Sequence, residues 1–306
     1  MRAVVLMTYG GPEQLVVVSD LPEPAAPDPD GVLVRTAAAA VNPVDLQTRA
    51  GLHSAHGAFH PPMVLGWDVA GTVTQVGDQV TGLSVGDRVV AMSAQMATGR
   101  GTYAETVALP ADIVAPAPVS VPLTAAAGLP LAGLTAWQAL DALALPEGAT
   151  LLVTGAVGSV GGLTVQLARL RGLTVVALVR SAEDVERARA LGAARVVVGA
   201  DASVLPSGAV DGLLETAGLP RAVAAVRDGG RAVSVVPTRV PEAERGVHVA
   251  VSYVEQDGEG LAALAALVDR GDLEVRSAKE LGFEEAGEAH RLLEAGGVRG
   301  KLLLLP

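Results

Sequence analysis

Residues 150–161, TLLVTGAVGSVG, constrain the possible fold more than any other stretch of this chain. An apolar run meets glycines at Gly155, Gly158 and Gly161, and the helical run LTVQLARLRG begins directly afterwards. This order describes a strand, a tight turn and a helix N-terminus, where backbone N–H groups and the helix dipole can receive a pyrophosphate. Glycines alone would say only that a strand turns closely into a helix. The pattern gains meaning from a second β-rich run, 173–179, which follows at βαβ distance and ends in Arg180 and Ser181. Dinucleotide binding is therefore expected, with Gly155, Gly158, Ser159, Val160 and Gly161 facing the phosphates.

Strand-like and helical runs keep alternating through ARVVVG, VDGLLETAG, GGRAVSVVP and GVHVAVSY. With the strand before the glycines and the run 173–179 they make six strands, the number a complete doubly wound sheet requires. Ala217 and Val236 follow the ends of consecutive strands at the edge where the middle of a dinucleotide would pass. The first third is β-rich, in AVVLM, LVVVSD, VLVRTAAAAV, DVAGTVTQVG and VGDRVVAMS, and the character turns helical from about Val121. After Tyr253 come an amphipathic helix and the closing run GKLLLLP. The simplest assembly is α/β, with a dinucleotide-binding domain (120–253) inserted into a β-rich catalytic domain (1–119 and 254–306). At 306 residues the chain has room for both, and the cleft between them is the expected active site.

Composition removes several alternatives. There is no cysteine, hence no disulfide, thiolate metal site or cysteine nucleophile. With 33 acidic against 22 basic residues the formal charge is −11, which disfavours a nucleic-acid partner. No apolar run reaches membrane-spanning length and the N-terminus lacks a signal-peptide pattern, so a soluble cytoplasmic protein without a membrane partner is expected. Residues 82–86, GLSVG, match a nucleophile elbow in letters only, because a strand follows where the elbow needs a helix. His53, His56 and His60 lie in a loop-like segment whose spacing puts them on no common face, so solvated loop or cleft wall is expected over metal binding.

The segments AVNPVDLQTRAG (41–52), VLGWDVAGTV (64–73), VGDRV (85–89), GTYAE (101–105), LPLAGLTAWQAL (129–140), VTGAVGSVGG (153–162) and the ending RGKLLLL occur in a characteristic order and spacing. They resemble the medium-chain dehydrogenase/reductase superfamily, in particular its zinc-free, zeta-crystallin-like branch of quinone oxidoreductases and enone reductases. The resemblance implies a Rossmann domain inserted into a GroES-like catalytic domain. It also implies hydride delivery from NADPH to a quinone or α,β-unsaturated carbonyl. Asn42 and Trp67 stand where zinc-dependent relatives carry cysteine and histidine, so no metal is expected.

By the same resemblance Asn42, Tyr103 and Thr135 are the candidate catalytic residues, and Gln47, Trp67 and Tyr253 the candidate substrate-binding residues. The residues themselves leave other roles open. Asn42 could form an Asx turn before Pro43, Thr135 could bond back to a helix carbonyl, and Tyr103 and Tyr253 could be packed rings with their hydroxyls in water. Arg180 and Ser181 replace the carboxylate of an NAD site and suit a 2′-phosphate. Ser181 could equally cap a helix, with Asp184 completing a capping box. Two positions depart from the family pattern, which often has lysine near Asp184 and tyrosine at Gly199. A homodimer joined through 231–253 is expected as in relatives. Other functions on this scaffold are an enoyl-thioester or biosynthetic enoyl reductase, a non-redox enzyme, and a cofactor-binding protein.

Overall fold

The computed structural model describes residues 1–55, 60–99 and 101–306. The chain forms two compact units, Met1–Leu131 with Gln256–Gly271 and Val275–Pro306, and Ala132–Glu255 with Asp272–Glu274. The first boundary falls inside the helix Pro130–Leu143, against the sequence boundary at 119, and the second falls two residues beyond 253.

The second unit is built on six parallel strands: β1 (Thr150–Thr154), β2 (Thr174–Val179), β3 (Arg195–Val198), β4 (Val210–Glu215), β5 (Val226–Ser234) and β6 (His248–Val251). Their spatial order is β3-β2-β1-β4-β5-β6, the doubly wound order, so the expected fold class holds. Strands covered on both faces should read as continuous apolar runs, and β2 buries every residue from Val175 to Val179. A core cluster including Leu152, Leu178, Leu213, Val226 and Val247 holds no aromatic ring, as a chain with 2% aromatic residues requires.

In the first unit the strand Gly31–Ala40 is the organiser. It pairs antiparallel with Asp68–Val76, Thr106–Pro110 and the last strand, Lys301–Leu305. The C-terminal run thus returns to the β-rich first third, with Leu303 opposite Ala40. Ser277–Gly282 lies parallel beside Lys301–Leu305, and the helix Ala286–Ala295 connects them. A smaller sheet joins Leu15–Val18, Ala3–Leu6 and Met63–Val64.

One sequence expectation needs correction. The segment Leu123–Leu143 is long and apolar enough to cross a bilayer. It is broken into the helices Leu123–Ala126 and Pro130–Leu143, and 72% of its most apolar window is buried inside the protein. Its apolarity serves the core.

Candidate functional site

In the dinucleotide unit the residues singled out by sequence gather at the carboxyl ends of the parallel strands. Gly155 follows β1 with φ +57°, a left-handed conformation that a side chain would strain. A Cβ at Gly161 would stand 2.2 Å from the Gly155 carbonyl oxygen, so this close strand-to-helix packing also requires glycine. The helix Ser159–Leu170 starts from Gly158 without a side-chain cap, leaving its first N–H groups to an outside acceptor. A glycine turn into an uncapped helix start is the arrangement in which backbone N–H groups can receive a phosphate.

Arg180, after β2, is exposed, and the half-buried Ser181 accepts a hydrogen bond from the Glu183 N–H at 3.3 Å. Ser181 therefore caps the turn Ala182–Asp184, and its bond goes to Glu183. A Cβ at Gly199 would lie 2.9 Å from the Asp201 carbonyl, which explains why this backbone carries no larger side chain there.

The sequence reading missed Glu215, the last residue of β4. It is fully buried, and its carboxylate accepts hydrogen bonds from Thr154 Oγ1 (3.1 Å), Ala217 N (2.8 Å), Leu219 N (2.9 Å) and Ser234 Oγ (3.2 Å). Thr216 adds two bonds to Thr154. One carboxylate thus ties the ends of β1, β4 and β5 and fixes the turn carrying Ala217 and Gly218. Ser234 Oγ in turn accepts from the N–H of Val236 at 3.1 Å. An acid directly after the apolar run GLL (212–214) was the available signal, because a strand buries a charge only when donors surround it. Thr135 is buried on the helix Pro130–Leu143, whereas Tyr253 is 71% exposed.

In the first unit Asn42 and Tyr103 converge on Asp45. Asn42 precedes the helix Pro43–Arg49, and Asp45 Oδ2 accepts from the Asn42 backbone N–H at 2.8 Å and from the Tyr103 hydroxyl at 2.9 Å. Asp45 Oδ1 is buried without a partner among the described residues. Burial pushes the Asp45 carboxyl up to about 7, and burial together with Asp45 holds the Tyr103 phenol well above its ordinary range. The expected water-facing hydroxyl of Tyr103 is thereby corrected: the ring is fully buried and its proton points to Asp45.

The Asx-turn alternative for Asn42 is also corrected. Its amide points away from the helix, to Ala40 O (3.2 Å), Asp68 Oδ2 (2.9 Å) and the Lys301 ammonium. Lys301 Nζ lies 3.0 Å from Asp68 Oδ2, and Asp68 Oδ1 accepts from the Leu131 N–H at 2.7 Å. Trp67 is buried with its indole N–H unpartnered among the described residues, and Gln47 is half-buried on the helix Pro43–Arg49.

Beneath Tyr103 lies His290, its ring edge-on at 6.2 Å, with Nδ1 3.4 Å from Arg49 and Nε2 unpartnered among the described residues. Burial holds this imidazole down at about 3, so it is neutral. His53 is half-buried, His60 is exposed, and His56 lies outside the described residues.

Comparison with known proteins fits this geometry. Residues 28–119 match the alcohol dehydrogenase GroES-like domain, and 191–304 match the family described as zinc-binding dehydrogenase. The donors present do not fit zinc: the chain has no cysteine, and the Asn42 carbonyl already meets a lysine ammonium. An NADPH-dependent alkenal/one oxidoreductase of Arabidopsis thaliana is 32% identical over 316 residues, covering 100% of this chain and 80% of the relative. The structure of a quinone oxidoreductase from Coxiella burnetii superposes with a TM-score of 0.87 at 28% identity, covering 100% and 99% of the two chains. That of an NAD-dependent alcohol dehydrogenase gives 0.86 at 33% identity over the whole of both chains. Full-length similarity, the doubly wound strand order and a glycine turn at the first crossover agree. The chain belongs to the medium-chain dehydrogenase/reductase superfamily, in its zeta-crystallin-like branch of quinone oxidoreductases and enone reductases.

Proposed function

We propose that this protein is an NADPH-dependent oxidoreductase that reduces quinones or α,β-unsaturated carbonyl compounds. The observation that carries the reading is the uncapped helix Ser159–Leu170 behind a turn that tolerates only glycine, with Arg180 and Ser181 at the end of the next strand. NADPH, when bound, supplies the hydride. The chain's own part is to bind, orient and exclude water.

The backbone N–H groups of Ser159, Val160 and Gly161 hold the pyrophosphate, with Gly155 and Gly158 allowing its approach. Arg180 and Ser181 take the 2′-phosphate, while Ala217 and Val236 line the middle of the cofactor on a turn held by Glu215. Thr135 supports the nicotinamide end. Asn42 and Tyr103 belong to the reaction centre, and Gln47, Trp67 and Tyr253 to the acceptor pocket. Names of similar proteins support this reading of cofactor and acceptor, one citing NADPH and alkenals and another quinone. The NAD-dependent neighbour makes cofactor choice the first thing to measure.

A homodimer through 231–253 is part of the proposal, since β6 is an edge strand of its sheet and an edge strand invites pairing. The cysteine-free composition and the charge of −11 suit a cytoplasmic enzyme without a nucleic-acid or membrane partner. The test is oxidation of NADPH and NADH with 1,4-benzoquinone, but-3-en-2-one and crotonyl-coenzyme A. Turnover with the first two and NADPH is expected. Absence of NADPH oxidation with all three would overturn the reading, and preference for the thioester would move the enzyme to enoyl reduction. Light scattering at working concentration should return twice the chain mass.

A further inference from the structure

Asn42 is surrounded by groups that permit its amide one orientation. A lysine ammonium can only donate, whereas a carboxylate and a backbone carbonyl can only accept. Oδ1 therefore faces Lys301, and the two Nδ2 hydrogens go to Ala40 O at 3.2 Å and Asp68 Oδ2 at 2.9 Å. Lys301 and Asp68 close the ring between themselves at 3.0 Å. All three residues are deeply buried, at 1% exposure for Asn42, 0% for Asp68 and 4% for Lys301. Asp68 is further anchored through its second oxygen by the Leu131 N–H.

After these bonds Asn42 has no hydrogen left to donate and one lone pair on Oδ1 left to accept with. We propose that Lys301 and Asp68 are positioning residues that lock Asn42 as a hydrogen-bond acceptor. In that state it serves a donor on the bound nucleotide, a ribose hydroxyl or the carboxamide N–H. It cannot stabilise the carbonyl oxygen of the substrate, which needs a donor. The proposal rests on the reading that Asn42 belongs to the reaction centre of an NADPH enzyme. It assigns the ion pair a function that a cysteine-free site makes available, because a fixed ammonium occupies the oxygen of the residue at the metal-ligand position.

Removing Lys301 alone would strand a buried carboxylate, so the informative variant is Lys301→Met with Asp68→Asn, which neutralises both partners. The amide that replaces the Asp68 carboxylate can still accept from Leu131, but it now presents a donor towards Asn42, which frees the Asn42 amide to turn over. The readouts are NADPH affinity by fluorescence titration, the KM for 1,4-benzoquinone, and thermal unfolding. Asn42→Ala should weaken NADPH about tenfold, the loss of one uncharged hydrogen bond, and leave the quinone KM unchanged. The neutral pair variant should melt near the parent and show the same loss. The triple variant should lose no more than Asn42→Ala, since all three changes act on one bond.

Parental NADPH affinity in the pair variant would overturn the lock, as would additive losses in the triple variant. A raised quinone KM with NADPH affinity unchanged would make Asn42 a donor and overturn it as well. Unaltered binding and kinetics in Asn42→Ala would remove Asn42 from the reaction centre, and the lock with it. If the parent binds NADPH but reduces none of the acceptors, the proposed reaction fails while the titration still decides the lock.

Discussion

One completely buried carboxylate of the first unit, Asp68, and one of the second, Glu215, are stabilised by different means. Glu215 is surrounded by neutral donors, two backbone N–H groups and two hydroxyls, all from the ends of neighbouring strands and the turn that follows. Asp68 relies on the Lys301 ammonium, brought from 233 residues away, as well as on Asn42 and Leu131. A carboxylate held by local dipoles fixes a turn and survives the loss of one donor. A carboxylate held by a distant cation joins chain segments and becomes an unpaired buried charge when that cation goes.

The largest expected effect tests this difference directly. Lys301→Met should lower the unfolding free energy by about 3–5 kcal/mol, the cost of breaking a buried ion pair from one side, and adding Asp68→Asn should recover most of it. Glu215→Gln keeps an oxygen for Ala217 and Leu219 and should cost about 1–3 kcal/mol. Urea unfolding at pH 7 measures all three. Equal losses for Lys301→Met and Glu215→Gln would mean that cation and dipoles are not distinguishable here.

The same contrast explains what could be read from the sequence. The glycine turn into the helix was legible because its requirements are local: a left-handed turn at Gly155, a close approach at Gly161 and a helix start all lie within eleven residues of Thr150. The doubly wound sheet was legible for a related reason, since each strand is one apolar run. Asp45, Asp68, Lys301 and His290 were not singled out, because positions 45, 68, 103, 290 and 301 meet only after the last strand pairs with Gly31–Ala40. Nothing in the spacing of these residues announces a cluster. Asn42 and Tyr103 were named through resemblance, but their partners came from the structure.

Next in size is a pH effect confined to the first unit. Asp45, pushed by burial up to about 7, keeps a proton that the unfolded chain releases, so its contribution to stability is present at low pH and lost as pH rises towards 7. His290, held by burial at about 3, refuses a proton that the unfolded imidazole takes up, so stability is lost as pH falls from about 6.5 towards 3. Between about pH 4.5 and 6 these slopes oppose each other at about 1.4 kcal/mol per pH unit each. Asp45→Asn should leave stability rising with pH across that window, and His290→Gln should leave it falling. Urea midpoints at half-unit steps would show the two divergent slopes. Parallel curves for both variants would break the assignment.

The second unit answers with a change of ligand preference. Arg180→Asp replaces an exposed cation by an anion where a 2′-phosphate would lie, and the ratio of kcat/KM for NADPH over NADH should drop by about tenfold or more, roughly 1.4 kcal/mol. Stability should stay within about 0.5 kcal/mol, as for most surface substitutions. An unchanged ratio would place cofactor selection elsewhere in the unit.

The smallest expected effect concerns Tyr103, and it decides whether the first-unit cluster holds a proton or delivers one. The phenol is fully buried, donates to Asp45 Oδ2 and is held well above its ordinary range, so it is poorly placed to release a proton at neutral pH. Tyr103→Phe removes one of the two donors on that oxygen and leaves the Asn42 N–H. Asp45 should then bind its proton more tightly, since the lost hydrogen bond had opposed the effect of burial. Turnover should fall by less than about threefold, far from the hundredfold or greater loss typical of a general acid. The stability decline with rising pH should shift upward, because Asp45 now ionises later. A hundredfold loss of kcat with cofactor affinity intact would instead make Tyr103 the proton donor. The buried ring would then have to reach the acceptor, and the picture of a cluster that holds its proton, in contrast to the uncapped helix start of the second unit, would no longer stand.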